Sequence, residues 1–457
     1  MKRVNRREFL KTTGSAAAFG AALGHLPGLA FSQGMGTTAP FPDYKALVCV
    51  FLHGGNDSYN MVVPRSNAEY NAYAQSRQNM AIAQQDLLPI TPNTPDGAEY
   101  GLHPSMPGLQ GLFEQGRVAF VNNVGPLVQP TTKTDYFNQS VLLPPQLFSH
   151  NDQQDQWYSL KGASVSATGW AGRIADLIRT RVANQQLATN VSLFGSTLFQ
   201  SADETIGYVM GANGPITFTG LSNSGDPDDL FYHQRLAFEQ IINANYSSVY
   251  ERGYAEIQQR AVATADLVTN ALANAPAIAT PFPQTNLGNQ LLTVAQMIAV
   301  RDTLQMERQI FFVELGGFDT HDDQVQNQPG LLGDVSNAVT AFYNATVELG
   351  VADSVTSFTQ SDFGRTLTSN GDGTDHAWGG IQFVVGDAIA GRDLYGSYPD
   401  LALDSEFDVG GGRFIPTTSA DQYAATLSKW FGVDDLDLET IAPNLGNFAV
   451  RDLGFFI

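Results

Sequence analysis

Three short apolar runs in this chain end in the same way, and this repetition constrains the fold more than any other feature. Residues 43–52, 309–315 and 355–359 are each followed by glycine and aspartate, in HGGND, GGFDTHDDQ and SDFGR. A short apolar run bounded by turn residues is typical of a strand buried in a parallel sheet. Helical patterns accompany the runs: residues 331–349 lie between the second and the third, and residues 420–431 form a closing helix. The alternation predicts an α/β fold, a doubly wound and mostly parallel sheet with helices on both faces.

One long stretch departs from this alternation. Residues 230–275 carry a helical pattern with few breakers, and residues 287–306 form another predicted helix. They predict a helical insertion at about residues 228–307 of a single α/β domain that spans residues 33–457. The alternative is that they are ordinary surface helices of the sheet domain.

The first 32 residues have the layout of a signal peptide, with a basic start, a weakly apolar middle and small residues near AFS. The stretch NRREFLK resembles the twin-arginine export motif, with Asn5 in place of the usual serine or threonine. Glycines and a proline interrupt the apolar run, which disfavours a membrane anchor. Residues 1–32 are therefore expected to engage the twin-arginine translocase. The mature protein is expected to be periplasmic or secreted, with no stable membrane span.

Acidic residues outnumber basic ones, 45 to 24, and the formal net charge is −21. Phosphate binding needs a positive surface, so this charge argues against a nucleic-acid partner. It also disfavours docking on an anionic membrane and could attract cations. The single cysteine, Cys49, can form no internal disulfide and is expected to be a small buried hydrophobe.

The aspartates after the three predicted strands are candidates for a shared site. Ligands of open α/β sheets bind beyond the carboxyl ends of the strands, so Asp57, Asp319 and Asp362 are expected to converge. Clustered carboxylates repel one another, and a divalent cation is the usual compensation. His321, two residues after Asp319, and His376, which follows Asp375 in the loop after the third strand, complete the predicted metal set. Oxygen ligands favour Mg, Ca or Mn, whereas added imidazoles admit Zn or Fe.

Each of these residues also has an ordinary interpretation. A strand-end aspartate commonly caps a turn or a helix. His321 could complete a buried polar network, and Asp375 could orient His376. Arg365 is expected to contact an anionic substrate or to clamp a carboxylate. The prediction of a metal site therefore depends on the whole set and not on any one member.

The segment FSHNDQQDQW offers a candidate nucleophile. It places Ser149, His150 and Asp152 at a predicted helix start, where backbone N–H groups stabilise an anion. Ser149 could attack a phosphate, and His150 or His321 could transfer protons. The alternative is that Ser149 is only the N-cap of the helix, with Asp152 three residues on. No G-x-G-x-x-G, Walker A or G-x-S-x-G pattern occurs.

The chain resembles a family of exported bacterial proteins, the domain-of-unknown-function family 1501, in a twin-arginine start and in GGNDSYNMVVP, SHNDQQDQW, TGWAGR, GGFDTHDDQ, SDFGRT and GTDHAWGG. The resemblance runs, in this order, from about residue 45 to about residue 401. It implies membership of the alkaline phosphatase and sulfatase-like superfamily. The implied fold is a doubly wound α/β sandwich with metal ions at the strand ends. The implied chemistry is transfer or hydrolysis of phosphoryl or sulfuryl groups.

The resemblance also implies roles for particular residues. Asp57 and Asp319 match metal-binding aspartates of the superfamily. His321 follows Asp319 at a closer spacing than usual, and Asp323 stands where that histidine is expected. His376 matches a final ligand from a later loop.

Two departures from the superfamily pattern limit what the resemblance implies. Asp362 matches another metal ligand and Ser149 the nucleophile, but Phe363 stands where a histidine is usual. Phenylalanine cannot bind a metal, which puts a two-zinc phosphatase site in doubt. Cys49 is followed by Val-Phe-Leu instead of the sulfatase motif Cys-x-Pro-x-Arg, so a formylglycine sulfatase is excluded.

The sequence therefore predicts an exported hydrolase of phosphate or sulfate esters that depends on Zn, Mn, Mg or Ca. Its expected substrate is an anionic small-molecule ester or a sulfated or phosphorylated polymer. Two alternatives stay open. One is a non-catalytic exported protein of the same fold that binds a ligand or assists a secreted partner. The other is a calcium-stabilised structural protein.

Overall fold

The structure, a computed structural model, describes residues 39–457 except 163, 165, 219 and 223. The predicted signal peptide lies outside these residues. None of the helices in the described ranges combines the length and apolar character that a membrane crossing needs. The strands in chain order are β1 (Lys45–Leu52), β2 (Val62–Pro64), β3 (Leu88–Ile90), β4 (Tyr100–Leu102), β5 (Val118–Gly125), β6 (Asn190–Ser192), β7 (Tyr208–Gly211), β8 (Gly214–Pro215), β9 (Arg308–Leu315), β10 (Val355–Ser361), β11 (Arg365–Ser369), β12 (Thr374–His376), β13 (Gly380–Val385), β14 (Asp393–Tyr395) and β15 (Thr418–Ser419).

The α-helices pack around these strands. In chain order they are α1 (Asn67–Arg77), α2 (Pro107–Glu114), α3 (Lys133–Asn138), α4 (His150–Ser159), α5 (Trp170–Ile178), α6 (Leu230–Ile242), α7 (Val249–Ala273), α8 (Asn286–Ala299), α9 (Gln324–Glu348), α10 (Ala420–Phe431) and α11 (Leu438–Ile441). Short 3-10 helices lie at Gln78–Met80, Gln84–Asp86, Arg179–Arg181, Leu198–Gln200 and Leu445–Asn447.

The three apolar runs of the sequence are neighbouring strands at the centre of the main sheet. The strand order is β14-β5-β13-β10-β1-β9-β6-β7-β8, with β15 alongside β5. β1 pairs in parallel with both β9 and β10, whereas β13 is antiparallel to β10 and β5. The register sets Leu52 beside Ser361 and Leu315. Three strand-end loops therefore meet at one edge of a mostly parallel sheet, as the sequence predicts.

Apolar layers cover both faces of this sheet. Alternate residues of β1 belong to two different buried clusters, with Val48 and Val50 in one and Leu47, Cys49 and Phe51 in the other. Helices α2, α8 and α9 contribute to the first cluster, and α5, α10 and α11 to the second. Because successive residues of a strand point to opposite faces, this division confirms the doubly wound arrangement. Cys49 is buried, as expected.

The predicted helix at residues 230–275 is two helices, α6 and α7, separated at residues 243–248. Ile242 is the one buried residue of α6, so this helix lies on the surface. Helix α8 has nine buried residues and belongs to the core. The predicted helical insertion therefore contains both a surface helix and a core helix, and its status as an insertion stays a prediction.

Helix α9 begins seven residues earlier than the sequence pattern indicates. Its first residue is Gln324, and Pro329 lies inside it. Proline removes a backbone hydrogen bond and crowds the preceding turn, which is why the sequence favours a start after it. Gln328 and Leu332 are buried, and their packing retains the helix on both sides of the proline. Because the helix starts early, the side chain of Gln324 reaches Asp57 in the loop after β1.

Candidate metal centre

The three strand-end aspartates lie in two different environments. Asp319 and Asp362 both contact the imidazole of His150. Asp57 instead forms an ion pair with the guanidinium of Arg77. The loops after β9 and β10 therefore contribute to one cluster, while the loop after β1 contributes its aspartate to another.

Asp319 lies at the centre of three histidines. Its carboxylate oxygens are 3.4 Å from Nε2 of His150, 3.2 Å from Nε2 of His321 and 3.3 Å from Nε2 of His376. Nε2 of His321 is also 2.8 Å from Nε2 of His376. One carboxylate thus contacts three imidazoles, two of which, His150 and His376, belong with it to one compact group of ligand atoms.

Carboxylates hold two of these imidazoles through the other ring nitrogen. Nδ1 of His150 is 2.6 Å from Oδ2 of Asp362, and Nδ1 of His321 is 3.2 Å from Oδ1 of Asp375. Asp362 is buried and also accepts a hydrogen bond from the side chain of Gln154 at 2.9 Å. Such carboxylate–imidazole pairs fix the ring orientation and direct Nε2 toward a ligand.

A backbone carbonyl holds the third imidazole. Nδ1 of His376 donates to the carbonyl oxygen of Phe148 over 2.7 Å. A carbonyl can only accept, so His376 carries a proton on Nδ1. Phe148 has a φ of 73°, a left-handed conformation that is uncommon for a bulky residue, and this turn aims its carbonyl at the histidine. His376 therefore presents the lone pair of Nε2 to the cluster.

Phe363 forms a wall behind two of the histidines. Its ring centroid lies 4.8 Å from that of His150 and 4.5 Å from that of His376. Gly55, with a φ of 84°, packs against the same ring, and a Cβ there would come within 2.4 Å of it. Glycine is the residue that tolerates this positive φ and has no Cβ to clash with the ring. The aromatic residue that replaces the expected histidine supports the imidazoles by packing.

Arg365 clamps the central carboxylate. Its Nη1 and Nη2 donate to Oδ1 of Asp319 at 3.1 and 3.0 Å, and Nη1 also donates to the carbonyl of Gly54 at 2.7 Å. The guanidinium is fully buried and makes a further bond to the carbonyl of Thr374. Of the two roles expected of Arg365, these contacts correspond to clamping a carboxylate.

Charge and burial shift the pKa values in this cluster in different directions. The hydrogen bond to Asp362 raises the pKa of His150 above its usual value. Burial lowers the pKa of His376. Burial acts to raise the pKa of Asp319, but contact with Arg365 outweighs it and lowers that pKa below its usual value. At neutral pH, Asp319 is therefore ionised and His376 neutral, the forms that bind a metal.

Asp57 belongs to a separate, closed network. Its Oδ2 accepts hydrogen bonds from Arg77 and from the side chain of Gln324. Arg77 also donates to the side chain of Asn60 at 3.0 Å and to the carbonyl of Thr366 at 2.9 Å. Asp57 and Arg77 are both buried. The structure does not bring Asp57 to the histidines.

Ser149 occupies the N-cap position of α4, directly before His150. Its side chain makes no hydrogen bond to the helix backbone, and Oγ instead donates to the carboxylate of Asp152 over 2.6 Å. Ser149 therefore lies at the predicted helix start, and its hydrogen-bond partner is Asp152, three residues later. Ser149 is adjacent in sequence to a member of the cluster.

Three residues of these networks, Gln154, Arg77 and Gln324, are not predicted from the sequence. Gln154 lies four residues after His150 on α4, and this helical spacing was an available signal. Arg77, on α1, lies 20 residues after the aspartate that both contact, and Gln324, on α9, lies 267 residues away from it. No local pattern marks them, so only the tertiary structure could find them.

The residues present fit a metal ion. Ligand atoms of His150, Asp319 and His376 all lie within 4.8 Å of one another. Nε2 of His150 is buried, and no residue in the described ranges forms a hydrogen bond with it. A cation would satisfy this nitrogen. Three imidazoles and one carboxylate form a donor set suited to Zn and also accepted by Fe or Mn.

The cluster opens on a cleft of 430 Å³. Its wall consists of Tyr136, Phe148, His321, Asp375, His376, Val409 and Arg413. His321 and His376 are therefore reachable from solvent, whereas Asp57 and its partners are not.

A family model described as "Protein of unknown function (DUF1501)" matches residues 44–411 of this chain. The chain belongs to this family. The matched residues contain the whole stretch over which the sequence resembles family 1501, so that prediction is confirmed. No curated protein matches the chain.

Solved structures match over most of the chain at low sequence identity. A sulfatase from Pseudoalteromonas is 9% identical, over 91% of this chain and 73% of that chain, with a TM-score of 0.35. The lipoteichoic acid synthase from Listeria monocytogenes is 8% identical, over 86% and 72%, with a TM-score of 0.33. The soluble domain of lipooligosaccharide phosphoethanolamine transferase A from Neisseria meningitidis is 10% identical, over 86% and 89%, with a TM-score of 0.30.

Proposed function

We propose that this protein is a metal-dependent hydrolase of phosphate or sulfate esters, exported by the twin-arginine route. The observation that supports it best is the approach of three Nε2 atoms to within 3.4 Å of the carboxylate of Asp319. Each of these rings is oriented through Nδ1 by another group. The proposal of export rests on the first 32 residues alone and is tested separately, by fractionating cells that express the full chain.

The metal would be held by His150, Asp319 and His376, with His321 as a neighbouring ligand. A donor set with three imidazoles favours Zn over Mg or Ca. When bound, a divalent cation supplies Lewis-acid polarisation of the ester oxygens and a more acidic water. The buried guanidinium of Arg365 would keep Asp319 ionised and in place.

Asp362 would orient His150 and not bind the metal directly. Its Oδ2 is engaged by His150 and Gln154, and its Oδ1 accepts a hydrogen bond from the backbone of Gly54 at 3.2 Å. Both oxygens are thus already committed to protein donors. The same reasoning leaves Asp57 out of the proposed ligand set, because its partner is a buried arginine.

The attacking group would be a water molecule or Ser149. Ser149 precedes the first turn of α4, where unpaired backbone N–H groups favour an anion. Its Oγ already donates to Asp152, which could accept the hydroxyl proton. His321 is already placed as a neighbouring ligand, so the leaving group would take its proton from solvent.

The second candidate is a non-catalytic, ligand-binding protein of the same fold. The Ser149 hydroxyl favours it, because that hydroxyl donates to Asp152 and not to any of the histidines. This candidate predicts that metal binds without ester turnover.

Metal content is the measurement that tests the proposal. Purified mature protein is dialysed against Zn, Mn, Mg or Ca and analysed by plasma mass spectrometry, beside Asp319→Ala and the matched control Asp322→Asn. Asp322 is an exposed neighbour in the same loop. We expect close to one equivalent of metal in the wild type and the control, and loss of it in Asp319→Ala.

Absence of metal from the wild type after every dialysis, or equal retention by Asp319→Ala, would contradict the metal site. If metal binds, turnover of nitrophenyl phosphate and nitrophenyl sulfate decides between the two candidates. Turnover that Asp319→Ala loses while its circular dichroism spectrum is unchanged supports the hydrolase. Bound metal without turnover of either ester supports the binding protein.

A further inference from the structure

We propose that the cleft beside the histidines binds the organic part of the substrate and that Arg413 binds an acidic group there. The ligand class that follows is an anionic ester of an aromatic or sugar alcohol. This inference deepens the proposed function and in that respect rests on it. The residues that carry it, however, lie outside the metal cluster.

Arg413 is fixed in the cleft with part of its guanidinium free. Nε donates to the carbonyl of His376 and Nη1 to the carbonyl of Gly410, each over 3.0 Å. The guanidinium carbon lies 5.7 Å from the ring centroid of Phe148. Among the described residues, none accepts a hydrogen bond from Nη2 and no carboxylate forms an ion pair with Arg413. Asp375 on the same cleft wall interacts electrostatically with Arg413 but forms no ion pair with it, so Nη2 stays available to a ligand.

The other arginines near the site are arranged differently. Arg77 is paired with Asp57 and Arg365 with Asp319, and both guanidinium groups are buried. Arg413 is half-buried and unpaired in a protein of net charge −21. A guanidinium presents several N–H groups in one plane, which suits the oxygens of a carboxylate, phosphate or sulfate. Its place beside the proposed metal site suits recognition of an anion.

The loop that carries Arg413 is built to hold it. The buried carboxylate of Asp408 accepts backbone hydrogen bonds from Gly410, Gly412 and Arg413 at 2.7, 2.8 and 3.1 Å. Gly410, Gly411 and Gly412 have φ values of 129°, 68° and 75°, in the region that favours glycine. The triple glycine of the sequence thus lets the chain wrap around Asp408. An arginine ordered before binding loses less entropy when it binds.

Aromatic and apolar side chains line the same cleft. Tyr136 and Val409 lie on its wall with Phe148. Tyr136 is supported from behind by the ring of Trp378, whose centroid lies 6.2 Å away. The cleft volume of 430 Å³ is in the range of small-molecule sites, about 300–1,000 Å³. A flat apolar wall beside a cation suits an acidic ligand that contains a ring.

Calorimetry with phosphonates tests this inference without relying on turnover. Phosphonates are not hydrolysed, so phenylphosphonate, methylphosphonate and inorganic phosphate are titrated into Zn-loaded protein. We expect phenylphosphonate to bind most tightly. Arg413→Gln is expected to weaken it about 10- to 100-fold, as for loss of a charged hydrogen bond. Arg413→Lys is expected to lose less, and Tyr136→Ala to narrow the preference for phenyl over methyl.

Arg451→Gln is the matched control, because Arg451 is an exposed arginine paired with Glu439 away from the cleft. It is expected to bind every probe as the wild type does. Thermal melting and zinc content are measured on each variant, so that loss of fold or of metal is recognised. Equal binding by wild type and Arg413→Gln at equal zinc content, or no phosphonate binding at all, would overturn the inference and leave the metal site standing.

If the wild type binds no zinc, the proposed function fails, and the same titration on metal-free protein still decides the role of Arg413. Phosphonate binding that Arg413→Gln loses would support the cleft as an anion site on its own. No such binding would overturn it.

Discussion

Two aspartate–arginine pairs lie at the ends of neighbouring strands, and they differ in what surrounds them. In the first, Asp57 and Arg77 have side chains that are 1% and 0% exposed. In the second, Arg365 is equally buried, but the side chain of Asp319 is 46% exposed. The two aspartates look alike in the sequence, each after a glycine-containing strand end. Their surroundings, and not their residue type, separate a closed ion pair from an open site.

The physical difference is in how each charge is compensated. A buried carboxylate loses its hydration and needs a fixed partner. Removing the arginine of the first pair is therefore expected to destabilise the fold more than the intact pair stabilises it. The second carboxylate keeps one face toward solvent and three imidazoles, so it has oxygen lone pairs left for a cation. The comparison predicts that changes in the first pair alter stability, whereas changes around the second alter metal binding.

The largest effect is expected from Arg77→Met, which leaves the charge of Asp57 buried and unpaired. We expect the free energy of unfolding to fall by about 3–5 kcal/mol, measured by urea denaturation of metal-free protein. The control Arg65→Met removes a partly exposed pair with Glu99 and is expected to cost at most about 1 kcal/mol. Similar losses in the two variants would show that the closed pair has no special role.

If Arg77→Met does not fold, the double variant Asp57→Asn, Arg77→Met keeps this prediction testable. It leaves no unpaired buried charge, so part of the stability is expected to return. A double variant that is no more stable than Arg77→Met would contradict this account.

The next effect is on metal affinity. His376→Asn removes a proposed ligand, and we expect the zinc affinity to fall by at least about 100-fold, the upper end of what loss of an outer partner costs. A competition titration with a chromophoric chelator measures it. His233→Asn changes an exposed histidine on α6 and is expected to bind zinc as the wild type does. Unchanged affinity in His376→Asn would remove this residue from the ligand set.

A smaller effect is expected from Asp362→Asn, because Asp362 orients His150 without binding the ion. The zinc affinity is expected to fall about 10- to 100-fold, measured by the same titration. Asp353→Asn, an exposed change before the other end of β10, is the control. A loss as large as that in Asp319→Ala would instead indicate that Asp362 is itself a ligand, as the sequence predicts.

The smallest effect is a pH dependence of opposite sign in the metal-free and metal-loaded protein. The hydrogen bond to Asp362 raises the pKa of His150. Protonated His150 therefore stabilises metal-free protein below the usual histidine pKa of about 6.5, and this contribution is lost as the pH rises through the raised pKa. Zinc binding needs neutral imidazole, so zinc affinity rises over the same interval, by at most about tenfold per pH unit for one proton.

Denaturation of chelator-treated protein and zinc competition, both measured across that interval, check the two signs. His376, whose pKa burial lowers, titrates at lower pH and should not mask the effect. The charged groups that face His150 are Asp362, Asp319 and Arg365. In Asp362→Asn both pH dependences are expected to flatten. Stability of metal-free protein that rises with pH through this interval would contradict the account of His150.

Much of the fold could be predicted from the sequence because the signals are local. The central strands β1, β9 and β10 are short apolar runs between turn residues, and their predicted bounds differ from the observed ones by only one or two residues. Parallel neighbours end at the same edge of a sheet, so convergence of their loops follows from strand type alone. The family resemblance was equally readable, since its motifs are continuous stretches of sequence.

Helix ends were predicted less well where packing overrides local preference. Pro329 suggests a helix boundary, but buried neighbours hold α9 together on both sides of it. The break between α6 and α7 at residues 243–248 has no glycine or proline, but Ser248, with Glu251 three residues later, is a local N-cap signal for a new helix start. Contacts with residues distant in the chain, such as that of Gln328 with the carbonyl of Asp57, are decisive for α9, whereas the start of α7 has a local cap.

The sequence by itself determined which residues carry chemistry: acids after strand ends, histidines nearby, and a serine before a helix. Only the tertiary structure decided which of these residues lie in the open cluster and which lie in a closed ion pair. It paired Asp57 with Arg77 of α1, left Asp319 open to three histidines, and placed Phe363 behind two of them. The reason is physical, because the state of a carboxylate depends on burial and on neighbouring charges, and both are set by contacts between segments far apart in the chain.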